Sequence, residues 1–332
     1  MRKGPARTRF LLMLGVVAAF LGLLLVAPAL LPFDPNATDL SRALSAPGEG
    51  GHALGSDALG RDVLLRTLAG GSESVTLGLA VVAVVLVLGT TVGIVSGYLG
   101  GTVDFVLTKV VTAFQAFPSF VLAVAIAGIL GQGMLNMVIA IAAVYWTQYA
   151  RLVRSIVISF RSSECVAAAR MCGAPSTAIM AKYLLPRTLG PLGVLSAVSM
   201  SDIVLTMAGL SFIGLGPARP TNEWGAMMAE AQPTFQYAIW CMLVPMAALF
   251  VAVVLFNLLG DALRDALDVR ASDVERLGVL SRLFLPRRPD GGSGTDRGMG
   301  TEDGSRAADA LGSAARGSDA TSSALGRSTG HA

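Results

Sequence analysis

The chain has 332 residues, of which 53% are hydrophobic and 14% are charged, and its formal net charge is +3. Soluble globular domains carry about 25% charged residues, so this composition excludes an ordinary soluble domain and predicts an integral membrane protein. The three cysteines do not make an extracellular disulfide framework. The two histidines, His52 and His331, lie too far apart in the sequence to build an imidazole metal site, so we predict no metal site.

A basic N-terminal segment, residues 1–9, precedes the first apolar run, which covers residues 10–32. A membrane helix needs about 20 mainly apolar residues, so this run is long enough to cross a bilayer. A cleaved signal peptide has an apolar run of only about 7 to 15 residues and a small-residue cleavage site, which is not clear here. We therefore predict a retained transmembrane anchor at 10–32, followed by a loop over residues 33–73.

Five further apolar runs follow the loop. They cover residues 74–98, 103–130, 134–150, 188–213 and 236–260. Pro118 and Pro245 should bend the helices that contain them, because proline removes a backbone hydrogen bond and clashes with the preceding turn. The predicted fold is therefore an all-α polytopic membrane protein with six transmembrane helices, five of which form a core over residues 74–270.

The segment between the fourth and fifth spans is too polar to cross a membrane, and over residues 164–186 it reads ECVAAARMCGAPSTAIMAKYLLP. Alanine and methionine favour a helix, and Gly173 is well placed to end that helix in the left-handed conformation. Pro175 suits the first turn of a second helix, and Pro186 is predicted to mark its end. We predict a helix–turn–helix within residues 161–187, at the membrane surface.

The side chains of this segment indicate a docking surface. Small residues at 167–169 let a partner approach closely, and Glu164 and Arg170 flank them with opposite charges. The alternative is an amphipathic connector that lies at the lipid interface, although such helices favour bulky apolar residues over three alanines.

Asp202 lies near the middle of the fifth span, where a charged side chain is expensive. An acidic residue at this depth normally faces a polar pathway or a partner helix. We predict that it contributes to a pathway or to an assembly contact.

The distribution of basic residues predicts the orientation, because cytoplasmic loops collect lysine and arginine. Basic residues precede the first span, crowd the stretch between the fourth and fifth spans, and follow the sixth. With six spans these three regions lie on one side, so both termini are predicted to be cytoplasmic. Residues 33–73 and 214–235 then lie outside. The tail over residues 271–332 is predicted to be largely disordered, because from about Pro289 onward it is rich in glycine, serine and alanine.

Five stretches together resemble a known family. The spacing of Ala168-Ala169, Gly173 and Leu185-Pro186 is similar to the EAA loop of permease subunits in binding-protein-dependent ABC importers. Glu164 matches the dipeptide, oligopeptide and nickel branch, whereas Ala167 stands where family members usually carry glutamate. Four other stretches are similar to segments of that branch: HALGSDALGRDVLLRTLAGG, GYLGGTVDFVLTKVVTAFQAFPSF, YARLVRS and GLSFIGLGPARPTNEWGAMM.

The resemblance implies a function and a set of partners. It implies that the chain is a multi-pass subunit of the cell membrane that forms the translocation pathway for di- or oligopeptides, with nickel or a nickel chelate as the alternative. The segment 161–187 would couple to a cytoplasmic ABC ATPase. A second permease subunit, in a heterodimer, an extracytoplasmic solute-binding protein and the lipid bilayer would be the other partners, with no nucleic acid.

The resemblance also implies candidate site residues. Relatives often carry an acid where this chain has Met207, so Met207 joins Asp202 as a candidate pathway position. Arg61 and Asp62, before the second span, and Glu223 and Trp224, after the fifth, are candidate contacts for the binding protein. The alternative for these four is a structured loop that packs on the spans.

The chain is not expected to be an enzyme by itself. It has no G-x-x-x-x-G-K-[ST] phosphate-binding loop and no nucleophile, base and oxyanion constellation. No cofactor is expected on this chain, and ATP and magnesium would bind to the partner ATPase. A different class, an ATP-independent secondary transporter or channel, would need ion-coupling residues in the spans, for which Asp202 alone is thin support.

Overall fold

The computed structural model describes residues 5–30, 34–218 and 220–284, with side chains described within 8–26, 34–218 and 220–267. Within these ranges the regular structure is helical and no β-strand forms, which confirms the all-α prediction. The elements are α1 Pro5–Leu30, α2 Val63–Leu99, α3 Gly101–Gln115, α4 Ser119–Leu130, α5 Met134–Phe160, α6 Glu164–Met171, α7 Ser176–Ile179, a π-helical turn Met180–Leu184, α8 Leu185–Phe212, α9 Trp224–Ala231 and α10 Trp240–Phe284, with 3₁₀ turns at Leu40–Arg42 and Gln232–Thr234.

Four of the described helical segments are long and apolar enough to cross a membrane, and they are Thr8–Val26, Val63–Leu99, Ser176–Phe212 and Trp240–Leu267. They contain most of the predicted first, second, fifth and sixth spans. The predicted third span is broken, because α3 and α4 meet at an angle of 91°. Pro118 lies at this corner, as the residue before α4, and this agrees with the predicted bend. In α10 the helix continues through Pro245 without interruption.

The predicted fourth span falls on α5, which is not among the apolar segments. With 27 residues α5 is long enough, but it carries Gln148, Arg151 and Arg154 in its second half. Many of its side chains are buried against other helices, including those of Tyr149, Val153 and Val157. The structure therefore does not identify α5 as a membrane-length apolar segment, and the fourth span stays a prediction.

Three predicted boundaries differ from the structure. Helix α2 begins at Val63, well inside the predicted loop 33–73, because the Asp62 side chain caps it by accepting a hydrogen bond of 2.9 Å from the Leu65 N–H. Helix α5 continues to Phe160, beyond the predicted end of the fourth span. Helix α10 continues to Phe284, into the predicted tail 271–332. Residues 285–332, with His331 and the stretch predicted to be disordered, lie outside the described residues.

The packing of α2 against α5 forms the centre of the structure. Gly89, Gly93 and Gly97 recur every four residues and therefore lie on one face of α2. A Cβ atom built on Gly93 would lie 2.7 Å from the Ala150 carbonyl oxygen and 2.7 Å from the Val153 Cβ, closer than real atoms approach. Small residues at such positions let two membrane helices pack with their backbones close together.

The helix ends collect into two groups. At the end that we call the α6 end, the Arg170 guanidinium lies 5.0 Å from the Tyr98 ring at the C-terminus of α2. There the Arg187 guanidinium also lies 4.4 Å from the Phe160 ring at the C-terminus of α5. Gly190 near the start of α8 faces Leu267 of α10, and Arg9 of α1 pairs with Asp265 of α10 at 3.3 Å. These contacts place the start of α1 and the later part of α10 at the same end as α6.

The opposite end, which we call the loop end, holds residues 34–62, α9 and the connections between helices. Trp224 at the start of α9 donates from Nε1 to the Thr67 carbonyl oxygen in the first turns of α2, at 2.8 Å. Trp240 at the start of α10 donates to the Ser56 carbonyl oxygen at 3.2 Å. Gln132, between α4 and α5, donates to the Gly214 carbonyl oxygen at 2.9 Å.

Candidate functional site

The predicted docking segment begins with α6, and its C-terminus has a defined turn. The Gly173 N–H donates to the Arg170 carbonyl oxygen at 2.9 Å, and the Ala174 N–H donates to the Ala169 carbonyl oxygen at 3.0 Å. This pair of bonds is a Schellman motif, in which the residue after the cap adopts the left-handed conformation. Gly173 has φ +77°, as its position in the sequence predicts. The turn therefore fixes the direction in which the chain leaves α6.

The second half of the segment differs from the prediction. Pro175 precedes α7 as expected, but α7 continues through the π-helical turn into α8 without a break. Pro186 does not end a helix: it lies in the first turn of α8, next to Leu185. Proline is tolerated at this point of the continuous helix because the π-helical turn directly before it accommodates the ring.

One face of α6 packs on the bundle and the other is exposed. Val166 and Ala169 are buried in the same apolar cluster as Val157 of α5. The exposed positions are Glu164, Cys165, Ala167, Ala168 and Arg170, together with Met171, whose exposed fraction is 83%. Of the three alanines, Ala169 therefore anchors the helix, and Ala167 and Ala168 form an accessible surface of small side chains.

The α6 end is held together by polar contacts that the sequence analysis missed. Arg154 of α5 binds Asp104 of α3 through two parallel hydrogen bonds, Nε to Oδ1 at 2.5 Å and Nη2 to Oδ2 at 2.7 Å. Arg161, at the end of α5, donates to the Gly97 carbonyl oxygen of α2 at 3.2 Å. Paired guanidinium–carboxylate bonds fix geometry as well as charge. These hydrogen bonds connect α2, α3 and α5 at the end of the bundle against which α6 packs.

At the loop end, Arg61 lies in a buried ion cluster and not on a surface. Its Nε donates to Asp57 Oδ2 at 2.6 Å and its Nη2 donates to Glu230 Oε2 at 2.6 Å. Arg66, with a side chain only 2% exposed, approaches the same two carboxylates at 2.7 and 3.1 Å. Arg66 also donates from Nε to the Asn222 Oδ1 at 3.1 Å. Two arginines and two acids therefore join the 34–62 loop, α2 and α9 in a charge-balanced cluster.

The other three predicted binding-protein contacts are also largely buried. Asp62 caps α2, and its Oδ2 lies 2.9 Å from His52 Nδ1. Glu223 caps α9, and its two carboxylate oxygens accept from the Gly225 and Ala226 N–H groups at 2.9 Å. Burial raises the pKa of the Glu223 carboxyl above its ordinary value, against the lowering effect of those N–H donors.

Trp224 is 0% exposed, so it cannot contact a partner in this conformation. Its indole packs between α2 and α8, and a Cβ atom on Gly71 would lie 2.8 Å from its Cζ2. In this conformation Arg61, Glu223 and Trp224 pack the loop on the spans, which is the alternative that the sequence left open, and their contact with a binding protein stays a prediction. Residue type alone did not separate the two roles, because charged and aromatic residues serve both.

Replacing Arg66 by alanine is expected to lower the free energy of unfolding by about 3–5 kcal/mol. The buried carboxylates of Asp57 and Glu230 would then lose one of the two positive charges that balance them. Thermal unfolding in detergent measures this loss. Arg42→Ala is the matched control, since Arg42 forms an exposed pair with Asp39 and its loss should cost less than about 1 kcal/mol. Equal shifts for the two variants would contradict the structural role of the cluster.

The two candidate pathway residues of α8 separate. Asp202 is exposed on the surface of the chain, and among the described residues no side chain or N–H group donates to its carboxylate. Met207 is 0% exposed and packs in the apolar cluster with Ile203 and Leu210. Met207 is therefore a core residue and does not line a pathway in this conformation. Residues five apart lie about 140° apart on a helix, which accounts for the difference.

The described part of the chain contains no cluster of three or more histidine, cysteine, aspartate or glutamate side chains that could hold a metal ion. Asp57 and Glu230, which lie close together, are matched by Arg61 and Arg66.

Comparison with known proteins identifies similar sequences over most of the chain. A family described as binding-protein-dependent transport system inner membrane component matches residues 89–273. The nickel transport system permease protein NikC of Escherichia coli (strain K12) is 41% identical over 258 residues, covering 76% of this chain and 91% of that protein. The dipeptide transport system permease protein DppC of Alkalihalophilus pseudofirmus is 36% identical over 253 residues, covering 76% and 83%. The oligopeptide transport system permease protein OppC of Haemophilus influenzae is 34% identical over 255 residues, covering 76% and 82%.

Proposed function

The chain belongs to the family of binding-protein-dependent transport system inner membrane components, and from this premise we propose that it lines a membrane pathway for di- and oligopeptides. It is a permease subunit of an ABC importer, and it is a multi-pass membrane protein. The observation that carries the proposal is the extent of the similarity to permease subunits, which covers about three quarters of the chain.

Coupling to the ATPase is proposed to occur through α6. Its outer face offers Ala167, Ala168 and Met171 to a partner, while Val166 and Ala169 hold it on the bundle. The Schellman turn at Gly173 and the start of α7 after Pro175 support a rigid docking element, since both ends of α6 are fixed. ATP is proposed to bind with magnesium to the partner and to be hydrolysed there, and no cofactor is expected on this chain.

Six crossings and cytoplasmic termini are proposed for the chain. The contacts at the two ends support this topology, because α1, α2, the α3–α4 pair, α5, α8 and α10 each run from one end to the other. The ion pair between Arg9 and Asp265 supports placing the start of the first span and the end of the last span on the same side. The α6 end also carries Arg161, Arg170 and Arg187, which favours the cytoplasm for this end.

The proposed assembly contains a second permease subunit, in a heterodimer, cytoplasmic ABC ATPase subunits and an extracytoplasmic solute-binding protein, within the bilayer and without nucleic acid. Asp202 supports a pathway or subunit contact on α8, because a carboxylate exposed on a span requires a polar neighbour that the described residues do not supply. We expect Asp202→Asn to lower uptake or assembly of the complex. Unchanged uptake and assembly would mean that Asp202 is a surface residue without a role in the pathway or in a subunit contact.

Nickel or a nickel chelate is a second candidate cargo. The 41% identity to a nickel transport system permease favours it. A bare ion, however, would find no cluster of ligands among the described residues, so a chelate agrees better with the structure.

The experiment that tests the proposed function is uptake by the reconstituted complex. The chain, its partner permease, the ATPases and the binding protein are placed in liposomes with ATP inside. The proposal predicts ATP-dependent accumulation of labelled di- and oligopeptides that stops without the binding protein. Accumulation of nickel but not of peptides would mean that the cargo is nickel. ATP-independent uptake by the chain alone would contradict its assignment to an ABC importer.

A further inference from the structure

An open groove of about 600 Å³ lies between the α3–α4 corner and α5. Phe114 and Phe117 provide apolar sides to this groove. Phe114 is itself held by an edge-to-face contact with Trp146, with ring centroids 6.1 Å apart. The polar lining is unusual for a membrane helix, and it consists of Gln115, Ser119, Thr147, Gln148, Arg151 and Ser155. The volume is in the range of sites that hold small molecules.

The polar side of the groove follows one face of α5. Gln148, Arg151 and Ser155 are spaced by three and four residues, so they lie on the same side of the helix. Polar groups on spanning helices face water-filled cavities or other protein, because hydrocarbon cannot satisfy them. This face is therefore unsuited to lipid, although no described element covers it.

Arg151 is the charged group of the groove. Arg154, one turn further along, is already neutralised by its two hydrogen bonds to Asp104. Arg151 is exposed and forms no ion pair or hydrogen bond with any of the described residues. Its guanidinium keeps its full charge and five donors, arranged to bind a carboxylate through two parallel bonds.

We propose that Arg151 recognises a carboxylate of the cargo as it passes along this groove. The inference rests on the proposed function and narrows its substrate class to molecules that carry a free carboxylate. The C-terminus of a peptide has this chemistry, and so does a metal chelate whose ligand keeps a free carboxylate. A bare divalent cation does not have it and is repelled by the guanidinium.

The test compares a labelled dipeptide with its C-terminal amide in the complete reconstituted importer. The binding protein is the same in every sample, so any change in the peptide-to-amide uptake ratio between variants comes from the permease. Arg151→Gln is expected to lower this ratio about tenfold, since one charge-assisted recognition contact is lost. Arg151→Lys keeps the charge without the paired geometry and should lower the ratio about threefold.

Lys109→Gln is the matched control, because Lys109 is an exposed cation of α3 that lies over the Phe105 ring outside the groove. It should leave the ratio unchanged. An equal loss of peptide and amide uptake in Arg151→Gln, or the same shift in Lys109→Gln, would overturn the inference in favour of a general charge effect or a lipid headgroup contact. If Arg151→Gln does not assemble, an unchanged ratio in Arg151→Lys overturns it as well.

A second pair of cargoes separates the two carboxylate sources. Nickel(II) is supplied either as the free ion or bound to a carboxylate chelator such as citrate. Uptake of the dipeptide but of neither nickel form assigns the carboxylate to a peptide, whereas chelate uptake that falls in Arg151→Gln assigns it to a chelate. Free-ion uptake that is insensitive to Arg151→Gln would contradict the inference while leaving the importer function intact. No ATP-dependent uptake of any cargo by the wild-type complex would contradict the proposed function itself.

Discussion

Replacing Ala168 by tryptophan is expected to abolish coupled transport while the protein still inserts into the membrane. Ala168 lies on the exposed face of α6, so the larger side chain meets solvent in the isolated chain and causes no clash within the bundle. At a docking surface the same side chain would hold the ATPase away, because close contact there depends on small residues. We expect at least a tenfold loss of cargo-dependent ATP hydrolysis, measured with the reconstituted complex.

Ala80→Trp is the matched control for that experiment. Ala80 is an exposed alanine of α2 within the membrane-length segment, so the same volume is added on a different surface. Its ATP hydrolysis should stay within about twofold of the wild type, because an exposed substitution away from contacts has a small effect. Wild-type activity of Ala168→Trp would mean that α6 is not the coupling surface.

Replacing Gly93 by leucine is expected to prevent α2 and α5 from packing and to remove most of the folded protein from the membrane. Even a Cβ atom at this position comes within 2.7 Å of the backbone and side chain of α5. Relief requires the two helices to separate, since backbone atoms cannot move aside as a flexible side chain can. Overpacking typically costs about 1–3 kcal/mol, and loss of a central helix contact adds to it.

Gly128→Leu is the control for helix propensity and volume, because Gly128 is a helical glycine of α4 with nothing within 4 Å of its Cβ position. The yield of monodisperse protein in detergent, compared between the two variants, measures the effect. Similar yields of Gly93→Leu and Gly128→Leu would contradict the close approach of α2 and α5.

Local features of the fold could be predicted from the sequence because they depend on neighbouring residues. Apolar runs indicated the four membrane-length segments of the described residues, and Gly173 and Pro175 indicated the turn after α6. The corner at Pro118 has the same local origin. The prediction that Pro186 ends a helix was wrong, because a π-helical turn accommodates the proline within a continuous helix.

Contacts between residues that lie far apart in the sequence could not be predicted from local sequence. Arg61 and Glu230 are separated by 169 positions, and nothing in the local sequence of either indicates the other. The same holds for Arg154 and Asp104, which lie 50 positions apart. Trp224 was a candidate contact for the binding protein, with packing on the spans as the alternative, and the burial of its side chain depends on residues 150 or more positions away.

The two ends of the molecule are joined by the same helices. Helix α2 carries Arg66 of the buried cluster near its start and Tyr98, the contact of Arg170, near its end. Helix α5 packs along α2 and ends beside α6. The contacts of α6 and those of the buried cluster are therefore connected through the length of α2.

The most direct test of the coupling surface is site-specific photo-crosslinking in the complete complex. A photoreactive residue at Met171, which is 83% exposed on α6, is compared with one at Leu40, which is 72% exposed at the loop end. The account predicts a crosslink from position 171 to the ATPase subunit, and none to the ATPase from position 40. A crosslink to the ATPase from position 40, with none from position 171, would contradict both the orientation and the role of α6.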